Sequence, residues 1–219
     1  MMREALYAAT IAIGIPISAY VGEVPVNFFC IALFLCHFAA LADKRERVEM
    51  LAVLSLATPL EILFSEYWKI YEYQRGFMPW YVPVGHWFVF DLGRRIAERL
   101  GIADKRLALL LTAPFIPATL AMAYSGLDTV GLVLLALLLS FIPLGPAPTL
   151  YAVMGWLALI MELWGTYHGV WAWDRNVPWT SLTSWNPPLL VGTFYGFGDL
   201  LVNLTTDLIL GPQKHTKRI

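Results

Sequence analysis

Charge is what this chain has least of. Lys, Arg, Asp and Glu make up 14% of its residues, against about 25% in an ordinary soluble domain, so the solvent for much of its surface is lipid. The near-zero net charge of -1 gives no basic excess of the kind that nucleic acid demands. Cysteine is equally scarce. Cys30 and Cys36 lie six apart in one apolar run, too far along a helix to face each other as a disulfide or a metal pair, and both read as small core residues. The usual chemical signatures are missing as well. There is no Gly-rich phosphate loop, no Gly-x-Ser-x-Gly elbow, no Cys-x-x-Cys, and no mid-span Lys to carry a Schiff base. No helical His-x-x-x-His or Glu-x-x-His pair is present to hold a transition metal.

What is there instead is apolar length, with 58% of residues hydrophobic. Apolar runs fall at roughly 4–20, 24–42, 48–68, 79–97, 107–124, 129–143, 148–168 and 188–210, separated by charged, Pro-rich or Gly-rich breaks. At about 20 residues per span, the chain accommodates about eight transmembrane helices and no separate soluble domain. The expected fold class is an all-α polytopic membrane helical bundle, one integral membrane domain over 1–219. The first run reads as a helix rather than a cleaved signal, because Pro16 and Tyr20 stand where a small-residue cleavage site belongs.

Basic residues set the orientation, since loops rich in Lys and Arg stay cytoplasmic. With eight crossings and an inside start, the inner face receives Arg3, Lys44, Arg45, Arg47, Arg94, Arg95, Arg99, Lys105, Arg106, Lys214, Lys217 and Arg218, twelve of the fifteen. Lys69, Arg75 and Arg175 remain outside. Both termini are therefore expected in the cytoplasm.

An internal repeat is also legible. Glu61 is followed by Tyr71, Tyr73 and Pro79-Trp80; Glu162 is followed by Trp171, Trp173 and Pro178-Trp179. Pro16 and Pro117 keep the same spacing, and each half ends on a helix carrying Asp91-Leu or Asp199-Leu. The expected arrangement is a parallel four-plus-four repeat, halves 1–103 and 104–219, about an axis along the membrane normal, which is one way to build a cavity between halves.

Charged side chains inside spans cost about 2.5–3.5 kcal/mol each on insertion scales and normally face an internal cavity. Glu61, Asp91, Glu162 and Asp199 qualify, and the repeat predicts that they converge as catalytic acids and bases. Aromatic residues crowd the connections above them. Tyr67, Tyr71, Trp80, His86, Tyr167, His168, Trp171 and Trp173, with Asn203 on the last helix, are the expected substrate-binding set, more numerous than an interfacial belt requires. His37 reads as a satisfied core residue and His215 belongs to the tail. Gly192 and Gly196 form a small-xxx-small face for close helix approach. The stripe Asp199, Asn203, Asp207 continues it and could hold Mg2+ with a diphosphate, but no second Asp-rich motif completes such a site. No cofactor is otherwise expected.

Glu162-Leu-Trp-Gly165, followed by Gly169 and an aromatic stretch, together with the size and the apolar spans, resembles the polytopic carotenoid-biosynthesis hydratases and the small membrane-bound terpene cyclases. That resemblance implies cofactor-independent acid catalysis on polyprenyl chains. It carries over no catalytic residues beyond the buried carboxylates. The expected partners are the lipid bilayer and a hydrophobic small-molecule substrate. Two other classes fit the same residues: a proton-coupled transporter, for which Pro114 and Pro117 offer a broken helix, and an accessory subunit that docks through the Leu-rich sixth run.

Overall fold

The computed structural model describes residues 2–212; the Lys214, His215, Lys217 and Arg218 positions invoked above lie outside them. Helices dominate. α1 (Met2–Tyr20), α2 (Glu23–Cys36), α3 (Lys44–Ile62), α4 (Tyr81–Leu100), α5 (Lys105–Thr112), α6 (Phe115–Tyr124), α7 (Val130–Leu144), α8 (Pro148–Tyr167) and α9 (Thr193–Leu210) follow the eight apolar runs, the fifth run being divided. The division falls at Pro114, directly before α6, where the missing N–H and the ring interrupt the helical ladder.

Among the described residues, four helical segments are long and apolar enough to cross a membrane: Glu23–Leu41, Lys44–Tyr67, Lys105–Tyr124 and Pro148–Tyr167. α7 is strongly apolar but has only 15 residues. α4 is long enough yet carries Asp91, Arg94, Arg95, Glu98 and Arg99 in its second half.

The breaks are built as the sequence chemistry dictates. Asp43 accepts a hydrogen bond from the Glu46 N–H at the start of α3, and Asp104 accepts from Arg106 and Leu107 at the start of α5, the usual way a carboxylate satisfies free donors at a helix N-terminus. α8 starts on Pro148, where a missing N–H costs nothing.

One part of the fold departs from the all-helical expectation. Past the end of α3, a single π turn (Leu63–Tyr67) leads to β1 (Tyr71–Tyr73), and past α8 the chain turns through Gly169, at φ +70°, into β2 (Trp171–Trp173). These strands pair antiparallel, with Tyr71 opposite Trp173, Glu72 opposite Ala172, and Tyr73 opposite Trp171. The aromatic-x-aromatic spacing is the cause. In a strand, alternate side chains share one face, so all four rings project together, and aromatic residues favour such pleated surfaces.

α8 is the central helix, in contact with α1, α4, α5, α7 and α9. Tyr151, Ala152, Met154 and Ala158 are fully buried along it. Two glycines let its neighbours close in: a Cβ at Gly192 would lie 2.3 Å from the Met154 carbonyl oxygen, and one at Gly93 would lie 2.1 Å from the Met154 sulfur. A second core gathers Tyr7, Met50, Trp87 and Phe88 from α1, α3 and α4. A third lies beneath the sheet, around Ile15, Ile70, Val170 and Val177.

Candidate functional site

The two strands carry their rings to two glutamates. Glu61, in the last turn of α3, accepts hydrogen bonds on Oε2 from the Tyr71 and Tyr73 hydroxyls, the latter at 2.7 Å. Glu162, on α8, accepts on Oε2 from the indole N–H groups of Trp171 at 2.7 Å and Trp173 at 2.8 Å. Each carboxylate is thus held by the two inward residues of the strand that follows its own helix. The antiparallel register relates the two arrangements by a local two-fold centred on the Glu72–Ala172 pair. Tyr71 rests against Trp173, with ring centroids 4.7 Å apart, and Tyr73 meets Trp171 at 6.3 Å. Burial and the adjacent Glu61 carboxylate push both phenols well above the ordinary tyrosine range, which keeps them as neutral donors.

Glycine makes the second half of this arrangement possible. A Cβ at Gly165 would stand 2.1 Å from the Trp171 ring. Only a residue without a side chain lets that indole lie across α8 and reach Glu162, one helical turn earlier.

His86 departs from the two-fold. Its Nε2 lies 3.1 Å from Glu61 Oε1, while its Nδ1 is 2.9 Å from the Val82 carbonyl oxygen one turn back on α4. The Tyr195 ring of α9 stacks on the imidazole at 5.8 Å, inclined by 22°. Among the described residues no counterpart of His86 bonds to Glu162.

These groups cap one end of a cavity of about 210 Å³, by the space open to the centre of a water-sized molecule. A single water needs only about 10–15 Å³ on that measure. Away from the glutamates the wall is almost wholly apolar, formed by Ile11, Val53, Leu56, Val89, Phe90, Leu201 and Val202 among others. Leu60 on α3 and Phe194 and Phe197 on α9 also line it, yet they are 40%, 41% and 48% exposed. The most exposed part of the cavity wall is therefore an apolar rim on α3 and α9.

Glu61, Tyr71, Glu162, Trp171, Trp173 and His86 are thus brought together around one cavity. Asp91 and Asp199 do not join them. Asp91 is 2.7 Å from Arg3 and 2.9 Å from Arg95. Asp199 pairs with Arg94 at 3.4 Å and accepts from Asn203 at 2.9 Å. Arg94 is also 2.6 Å from Glu49, and Arg45 links Glu49 at 3.2 Å to Asp207 at 2.7 Å. This ionic layer lies at the far end of α4 from His86, and neither aspartate lines the cavity. Depth along the helix suggests a shared site, but arginines one turn away or on a neighbouring helix claim both carboxylates first.

The Mg2+ stripe is redirected in the same way. Asp199 and Asp207 turn to different arginines and Asn203 serves Asp199, and among the described residues no group of three or more His, Cys, Asp and Glu is arranged to hold a metal. Tyr67, Trp80 and Tyr167 are 73%, 72% and 78% exposed and stand off the cavity wall, where their amphipathic rings suit an interfacial belt. His168 also lies outside it, bonded to the Tyr20 hydroxyl at 3.0 Å. Tyr73 and Tyr195 are two wall residues beside Glu61 and His86 that the expected set omits. The first was visible in the Tyr-x-Tyr match to Trp-x-Trp; the second reaches the site only through the packing of α9. Both cysteines are free, Cys30 buried and Cys36 exposed.

The chain matches no known protein family, no curated protein and no solved structure.

Proposed function

We propose that this chain is an integral membrane enzyme that performs acid–base chemistry on a lipid-soluble, isoprenoid-type substrate: cyclisation, hydration or isomerisation through a carbocation. One observation carries the reading. Two glutamates from separate helices meet at one end of an apolar, aromatic-capped cavity whose most exposed wall is an apolar rim. A carboxylic acid there can protonate a double bond or epoxide, and the second carboxylate can take a proton from the cation or from an attacking water. The Tyr and Trp faces above offer electron density to the cation while it exists. The apolar rim on α3 and α9 suits a substrate that arrives from the bilayer.

In the same reading the chain crosses the membrane about eight times. Both termini lie in the cytoplasm, the sheet lies at the outer face, and the arginine layer lies at the inner headgroups, where basic residues belong. The paired strands, with equivalent glutamates beneath them, support a parallel four-plus-four duplication in which one half kept Tyr and His and the other kept Trp. A proton-coupled carrier is supported less well. It needs a polar route from the glutamates to the opposite face, whereas the cavity floor is Val53, Leu201 and Val202, and the acids beyond are committed to arginines.

The test is lipid extraction and mass spectrometry of cells expressing wild type or Glu162→Gln. The proposal predicts an isoprenoid that changes with wild type only. Unchanged lipid profiles, together with loss of proton-linked uptake in vesicles, would establish the carrier instead.

A further inference from the structure

The notional two-fold over the glutamates is broken by hydrogen-bond chemistry, and the break assigns each glutamate a different task. Val82 offers His86 a carbonyl oxygen, which can only accept, so Nδ1 carries a hydrogen. The remaining contact, Nε2 to Glu61 Oε1 at 3.1 Å, then needs one proton shared between a nitrogen and an oxygen. Glu61 Oε2 already receives two phenol hydroxyls. A carboxyl whose two oxygens face three donors is satisfied as the carboxylate, with His86 as imidazolium, doubly protonated.

Glu162 is placed otherwise. Its Oε2 takes two indole N–H groups, which can only donate. Its Oε1 has no hydrogen-bond partner among the described residues and is not sealed from solvent, and Glu162 lines the cavity. Charge balance completes the count. A Glu61 carboxylate beside a His86 imidazolium is neutral as a pair, and a second carboxylate in the same low-dielectric wall would leave an uncompensated charge, which is costly. A proton on Glu162 Oε1 removes that charge without disturbing any bond to Oε2.

We infer that Glu162 is the proton donor, acting through Oε1, and that Glu61 is the proton acceptor, held ionised by His86 as its positioning residue. This rests on the enzymatic reading above. In the first step the π pair of a substrate double bond forms a C–H bond with the Glu162 proton. The O–H electrons remain on Oε1, and a tertiary carbocation results. In the second step the cation either loses a neighbouring proton, whose C–H electrons form the new double bond, or captures water, which then loses a proton. Glu61 receives that proton in both cases. One proton has left Glu162 and one has reached Glu61, and transfer between the two carboxyls restores the site, with nothing consumed beyond the substrate and, in the hydration, one water.

The experiment uses the purified full chain in lipid nanodiscs, with infrared difference spectra of the carboxyl region and nitrogen NMR of 15N-histidine-labelled protein. Wild type should show a protonated carboxyl band that Glu162→Gln removes and Glu61→Gln retains, and a His86 signal with both nitrogens protonated. In Glu61→Gln that signal should become a neutral ring protonated on Nδ1 alone. Tyr167→Phe, at an exposed residue that stands off the cavity wall, serves as a folding-competent control and should keep both signatures. A band that vanishes with Glu61→Gln but survives Glu162→Gln, or a neutral His86 in wild type, overturns the assignment. A parallel arm follows deuterium from heavy water into the isoprenoids of expressing cells, where Glu162→Gln should lower incorporation at least ~100-fold. Spectra as expected with no deuterium in any isoprenoid would uphold the proton assignment in the resting protein and overturn its donor role together with the enzymatic reading. Deuterium transfer with the band on Glu61 would overturn the assignment alone.

Discussion

The two ends of α4 treat carboxylates in opposite ways. At the arginine end, Asp91, Glu49 and Asp199 each contact at least one guanidinium, at 2.6–3.4 Å. At the sheet end, Glu61 and Glu162 have no arginine or lysine partner among the described residues; they are held by hydroxyl and indole donors and by one histidine. Acids matched with permanent cations are fixed as charges and serve to hold helices together. Acids matched with neutral donors, or with a histidine that itself titrates, remain free to gain and lose protons beside an apolar cavity. Burial alone would not draw this distinction, since Asp199 is more deeply enclosed than either glutamate.

Replacing an acid at each end is the most direct way to break that comparison. Glu162→Gln should reduce product formation at least ~100-fold, the lower range for loss of a general acid. The Gln carbonyl oxygen can still accept from both indoles, so the thermal midpoint should stay near that of wild type. Arg94→Met should do the reverse. It leaves Asp199 with only Asn203 and removes one of the two arginines from Glu49, and stranding one member of a buried ion pair costs about 3–5 kcal/mol. Thermal unfolding followed by size-exclusion chromatography should show a large drop in midpoint, while turnover per folded molecule is retained. A stable Arg94→Met with lost turnover would erase the distinction.

The sequence discloses the sheet end better than the arginine end, for a physical reason. Glu61 and Glu162 precede Tyr-x-Tyr and Trp-x-Trp steps of strand period at similar spacing, so aligning the two segments brings both acids and all four rings into view. The helices themselves follow from apolar length and from breaks at Asp43, Asp104 and Pro148. Asp91 and Asp199 are misplaced by depth alone. Arg95, four residues after Asp91, is a local signal of a helical ion pair, but Arg3 and Arg94 reach their partners from other helices. His86 illustrates the same limit. Its place on α4 is readable, whereas its bond to Glu61 and its stacking on Tyr195 depend on how α3, α4 and α9 meet.

A smaller effect sharpens the comparison within the sheet end itself. Trp173→Phe keeps most of the ring but removes one of the two donors to Glu162. A hydrogen bond to a charged group is worth about 1.5–3 kcal/mol, and part of that is present only while Glu162 is a carboxylate, after its proton has left. Turnover should fall about tenfold, equivalent to about 1.4 kcal/mol, with little change in the amount of folded protein. Tyr73→Phe, acting on an acid that also has His86 and Tyr71, should cost less. Equal losses for the two variants would argue that the halves work alike.

The smallest change tests the cavity rather than the acids. Gly85 lies on α4 one residue before His86 and lines the cavity, and a Cβ built there meets nothing within 4 Å. Gly85→Ala should therefore stabilise α4 by about 0.5–1 kcal/mol, the usual difference between the two residues within a helix, a gain readable as a slightly higher thermal midpoint. The added methyl takes its volume from the cavity beside the Glu61–His86 pair, so the bulkiest substrate should lose turnover while Glu61 and Glu162 keep their hydrogen bonds. A more stable protein with narrower substrate use would show that the glycine keeps space open at the reactive end at a cost in stability, whereas the arginine end spends its side chains on closing space.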